Sequence, residues 1–129
     1  MAFVLSQSAT YKWPVTLELP IDGGRFRRES FDAEFHRLEQ SRINEIQEIA
    51  YRRDRQLRGI EDPNPEDEIS DVSIADEILA GWSGILDENK EELEMTPATK
   101  KQLLEIPTVA TAIITAYGES LKGAKRKNS

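Results

Sequence analysis

The sequence predicts a mainly α protein in which an N-terminal β-hairpin precedes a long helix and a compact C-terminal group of three shorter helices. Three observations predict it. Apolar residues alternate with period two only before residue 30, they recur at helical spacing from Ser30 onward, and no Gly or Pro interrupts 30–58. At 129 residues the chain suits one domain, 1–129, with one modest core.

The hairpin is assigned to 11–29. Trp13, Val15, Leu17 and Leu19 alternate with Lys12, Pro14, Thr16 and Glu18, the signature of a half-buried strand. Pro14 has no N–H to give a ladder, so it belongs at the strand's start or on an edge. Pro20-Ile21-Asp22-Gly23-Gly24 reads as a turn, because glycine reaches positive φ without a steric penalty. Arg25-Phe26-Arg27-Arg28 then returns as a short second strand with Phe26 on the inner face. An isolated hairpin is marginal in water, so this one needs a helix or another subunit to pack on.

The long helix is assigned to 30–58, roughly eight turns. Ser30 is the candidate N-cap, with Asp32 and Glu34 in the first turn. Phe31, Phe35 and Leu38 fall at helical spacing, and Ile43, Ile46, Ile49 or Ala50, and Leu57 continue on a shifted stripe. Gly59 ends the helix, and 61–69 reads as an acidic, proline-broken linker.

The C-terminal helical part is assigned to 70–122. Ser70 or Ser73 opens a helix carrying Ile74, Ile78 and Leu79 toward Trp82, which lies between Gly81 and Gly84. Asp87–Glu92 is a polar loop. Thr96-Pro97 is a helix start, since threonine caps and proline at the first helical position loses nothing. Pro107 opens the last helix, with Val109, Ile113, Ala116 or Tyr117, and Leu121 on one face, and Gly118 or Gly123 at its end. The basic tail 123–129 reads as disordered.

Charge narrows the possible functions. The net charge is −7, with 38% hydrophobic and 32% charged residues. From Arg25 to Arg58 nine Arg face seven acids, whereas from Glu61 to Glu94 thirteen acids face only Lys90, a net of −12. Such a middle repels phosphate backbones and argues against nucleic-acid binding. No apolar run is long enough for a membrane span, and Met1–Ser6 lacks the parts of a signal peptide. A soluble protein is expected.

Catalytic and metal motifs fail one by one. His36 is the only histidine, and with Glu39 it falls short of a zinc ligand set. Asp62, Asn64 and Glu66 alternate like calcium ligands. However, Asp67 stands where the loop needs Gly, and Ser73 where it needs a bidentate Glu. No serine lies in a nucleophile elbow, and Gly23-Gly24 lacks the rest of a phosphate-binding loop. No enzyme and no cofactor are expected. The candidate partner or self-association contacts are Trp13, Phe26, Trp82 and the arginines Arg52, Arg53 and Arg55, which the acidic middle segment can complement within the fold or between copies.

Order and spacing carry a family resemblance over residues 11–122. Asp76-Glu77-Ile78-Leu79-Ala80-Gly81-Trp82-Ser83-Gly84-Ile85-Leu86-Asp87 resembles the segment of phage tail assembly chaperones in which a helix leads into Gly-Trp-x-Gly-Val-x-Asp. A polar loop follows, then Met95-Thr96-Pro97 to Leu103-Leu104, and Ile106-Pro107-Thr108-Val109-Ala110 leading to Tyr117. The front end, Trp13-Pro14-Val15-Thr16 and Pro20-Ile21-Asp22-Gly23-Gly24, is similar too.

The resemblance implies a protein that binds the tape measure protein and keeps it soluble during tail tube assembly. It also implies recruitment of the major tail tube protein through a longer, frameshifted form, and self-association into a homo-oligomer. The expected location is the cytoplasm of the infected or lysogenic bacterium, and the mature virion should lack it. A structural head–tail connector or tail-completion protein of the virion is the alternative reading.

Overall fold

A three-stranded antiparallel sheet, and not a helical bundle, organises the chain. The computed structural model describes residues 3–59 and 70–122. Thr10–Ile21 (β1) and Arg25–His36 (β2) pair along their whole length, from Thr10 opposite His36 to Ile21 opposite Arg25. Gly23 and Gly24 turn the chain between them at φ +81° and +74°. Leu79–Ser83 (β3) pairs antiparallel with the other side of β2, so the strand order is β1-β2-β3.

The mainly α expectation is therefore wrong, and the long helix over 30–58 is absent. Residues 25–36 form β2, and the helix that follows, α1, spans only Gln40–Leu57. The physical reason lies in Ser30–His36. Phe31, Ala33 and Phe35 alternate with Asp32 and Glu34, and burial alternates with them: the first three are 5%, 0% and 0% exposed. Placing Phe31 and Phe35 on one face satisfies both periods, so Ala33 and its acidic neighbours decide in favour of the strand.

β3 contains an irregularity that its sequence conceals. Ala33 faces Trp82 and Glu34 faces Gly81, yet Phe35 faces Leu79, which leaves Ala80 as an extra residue. This β-bulge brings Leu79 and Trp82, three positions apart, onto the same inner face. Spacing of three suits a helix, which explains why the sequence extends a helix to Trp82. In the structure α2 stops at Ile78.

The helices cover the inner face of the sheet. α2 (Asp71–Ile78) begins at Ser70, whose side chain accepts the Ser73 amide at 3.1 Å. α3 (Pro97–Leu104) begins at Thr96 with reciprocal Thr96–Thr99 capping bonds and Pro97 in the first turn. α4 (Val109–Ser120) packs between β1 and α2 and buries Val109, Ile113, Ala116 and Tyr117. Gly118 lies inside α4 and does not end it. The linker and tail assigned to 61–69 and 123–129 lie outside the described residues.

An aromatic cluster fixes the point where β2 hands over to α1. Tyr11, Phe35 and Tyr117 meet with ring centroids 5.2–6.4 Å apart. The Tyr117 hydroxyl donates to the His36 carbonyl at 3.1 Å and accepts the Leu38 amide at 3.3 Å. Burial pushes the Tyr117 phenol above its ordinary pKa.

Phe35 is fully buried, whereas Phe26 is 66% exposed. Phe35→Ala should therefore cost about 3–5 kcal/mol in urea unfolding, and Phe26→Ala only about 0.5 kcal/mol or less. Equal costs would contradict the sheet's facing.

Candidate interaction surfaces

The two tryptophans share one row of the sheet. Trp13 on β1 and Trp82 on β3 both lie opposite Ala33 of β2, on the inner face. Ala33 is 0% exposed beneath them, and both indoles are half-buried against the core. The Trp82 indole N–H donates to the Leu93 carbonyl at 2.7 Å, which ties down the loop after β3. Leu93 in turn donates its amide to Ile85 at 2.7 Å. The sequence offers Trp13 and Trp82 as separate features, and only the strand register brings them together.

Phe26 is placed differently from the sequence expectation. Residues of equal parity share a face, and the core takes the odd-numbered ones. Phe26 pairs with Pro20 and therefore points to the outer face, away from the core. The distal part of the hairpin, from Glu18 to Glu29, forms an arm that is exposed along most of its length. It leaves Ile21 and Phe26 exposed and Leu19 half-buried. Its charges pair on the arm itself, Arg28 with Glu18 and Arg27 with Glu29, each at 2.8 Å. Pairs this exposed hold little energy.

The arginines of α1 line its own surface. Arg52 lies 3.7 Å from Glu48, and the Arg55 guanidinium lies over the Tyr51 ring at 5.4 Å. Arg53 belongs to the same helix, and its side chain is outside the described residues. The contact that joins the basic front to the acidic middle is one that the sequence reading missed. Arg42 donates to Glu77 of α2 through Nε at 2.7 Å and Nη2 at 2.6 Å. The hydrogen bond from Arg42 holds the Glu77 carboxyl below the ordinary carboxylate range, with burial opposing it. The same bond raises Arg42 above its ordinary value. Arg42 and Glu77 are 35 positions apart, so only the fold reveals the pair. Beside it, Ile43 and Ile46 pack on the core, while Tyr51 and Leu57 stay exposed.

Several grooves open on the surface of the described residues. One, about 600 Å³, lies between β1 and α4 and is lined by Pro14, Thr16, Thr111 and Thr115. A narrow apolar one, about 140 Å³, separates α1 from α4 between Ile43, Ile46, Ile114 and Leu121. A third, about 340 Å³, runs beneath the hairpin arm. Leu17, Phe31 and Leu103 form its floor, and Leu19, Ile85 and Leu86 its sides. Among the described residues no cluster of His, Cys, Asp or Glu could hold a metal, and no helix is long and apolar enough to cross a membrane. These surfaces therefore offer apolar contact and charge, the materials of protein recognition.

Against known proteins, a family model described as phage tail assembly chaperone matches residues 1–128. No curated protein and no solved structure matches the chain.

The Arg42–Glu77 pair makes stability depend on pH. A carboxyl whose pKa is lowered by folding contributes above its ordinary value of about 4.3, and the contribution is lost as pH falls through the lowered value. Both side chains are about one-third exposed. Glu77→Gln should therefore cost only about 1 kcal/mol at neutral pH. In urea unfolding, the gap between the two proteins should close in strong acid. A gap that persists there would rule out the ion pair as its source.

Proposed function

This chain belongs to the phage tail assembly chaperone family, and from that premise we propose that it binds the tape measure protein and keeps it soluble while the tail tube assembles. A chaperone of this kind needs apolar surface that a helical client can use, held on a body that stays soluble itself. The arm groove supports the reading most directly. Its floor of Leu17, Phe31 and Leu103 is continuous with the core, and the exposed Leu86 extends it outward. Singly exposed apolar residues are ordinary on any protein. One that leads into an open apolar groove fits the arrangement that helix-in-groove recognition uses.

The solvated remainder suits the same role. A net charge of −7 and 32% charged residues keep the loaded chaperone apart from its neighbours. In this reading the protein acts by association alone, and it leaves the client when tube subunits replace it.

Co-expression with the tape measure protein of the same phage tests this. The client should move into the soluble fraction and co-purify with the chain, and mass spectrometry of purified virions should not find the chain. A client that stays insoluble with no complex formed would refute the proposal, as would stoichiometric chain in the virion.

A further inference from the structure

We propose that the groove beneath the hairpin arm docks an amphipathic helix whose apolar face is flanked by lysine or arginine. The inference rests on the helical-client reading above and adds the place of docking and the charge of the occupant.

Along β1, Pro14 and Pro20 interrupt the donors of the edge strand, a common protection against pairing with another strand. The α1–α4 groove holds only about 140 Å³, and no charged side chain lines it to select an occupant. The arm groove holds about 340 Å³ between two walls of opposite character. Leu19 forms the arm wall, where Arg27 and Glu29 neutralise each other at 2.8 Å.

The opposite wall is the loop after β3. Between Asp87 and Glu94 it carries Asp87, Glu88, Glu91, Glu92 and Glu94 against the single Lys90. Asp87 accepts the Asn89 and Glu91 amides at 2.8 and 3.0 Å, and Glu92 accepts the Gly84 amide at 2.5 Å, so these two hold the loop in shape. Glu88, Glu91 and Glu94 are exposed on this same loop, whose Leu86 lines the groove.

An occupant that fills the apolar floor must place its flank against this negative loop. At physiological salt charges act over about 8 Å, so a basic flank is favoured and an acidic one repelled. Complementarity of this kind sets which partner binds more than how tightly it binds.

The test uses the full chain and two fluorescent helical peptides of about five turns with the same leucine stripe, one flanked by lysine and one by glutamate. Fluorescence anisotropy should show the Leu/Lys peptide binding at least about tenfold more tightly, with the preference vanishing near 1 M salt, where screening falls to about 3 Å. Leu86→Asp, at a side chain already 55% exposed, should abolish binding. Joint replacement of Glu88, Glu91 and Glu94 by Lys should reverse the preference. Leu121→Asp, in the α1–α4 groove, should leave binding unchanged. In NMR spectra the Trp82 indole signal, tied to Leu93, should shift on adding the Leu/Lys peptide.

Equal binding of both peptides overturns the proposal, as does indifference to Leu86→Asp or a loss caused by Leu121→Asp. Tighter peptide binding after removal of 123–129 also overturns it, because the occupant is then the chain's own basic end. Co-expression separates the two readings. If the wild-type chain keeps the tape measure protein soluble and Leu86→Asp does so equally well, the groove assignment fails while the chaperone reading stands. If the wild-type chain fails to do so, the chaperone reading itself fails.

Discussion

The fold depends on β2 being paired on both sides, with Ala33 at the centre of the sheet. β1 reaches β2 through a tight turn, but β3 arrives only after the chain has passed through α1 and α2. Closing that long loop costs entropy that local hydrogen bonds alone do not repay. The offset comes from burial, and burial needs a residue small enough for Trp13 and Trp82 to flank it from both neighbouring strands. Phe31 and Phe35 on either side of Ala33 then meet the helices. A larger side chain at 33 would push the two indoles apart, and β3 would lose the row that positions it.

The apolar parts left exposed follow from the shortage of apolar material. With 38% hydrophobic residues the chain can cover one face of a small sheet and little more. Full burial along the hairpin stops at Leu17 and Phe31, and the arm beyond them is mostly exposed. α1 is held near its start by Ile43, Ile46 and the Arg42–Glu77 pair, and Leu57 at its far end is 83% exposed. Elements attached this lightly open at lower cost than the core does. In the proposed chaperone role, contact surfaces drawn from such elements ease both the binding and the release of a client.

Much of this organisation is legible in the residues. Trp13, Val15, Leu17 and Leu19 announce β1, Asp22-Gly23-Gly24 the turn, Thr96-Pro97 the start of α3, and Val109, Ile113 and Tyr117 the face of α4. Two segments are not, for separate reasons. In 30–36 the phenylalanines fit a helix and a strand equally, and Ser30 followed by acids imitates a capped helix. In 79–83 the bulge at Ala80 removes the alternation that marks a strand. The candidate surface was legible only in part: Trp13, Phe26 and Trp82 could be chosen by type, but their faces depend on a register that no local pattern encodes. The Arg42–Glu77 pair and the arm groove join segments far apart in sequence, so neither could be read locally.

The fold depends on Ser30–His36 lying in the central strand. Nuclear Overhauser contacts in labelled protein test this most directly. The Ala33 methyl should show contacts to side-chain protons of both Trp13 and Trp82, because cross-strand neighbours lie about 5 Å apart. Helical contacts between residues three apart through 30–36, with no signal from Ala33 to either indole, would contradict the sheet and everything built on it.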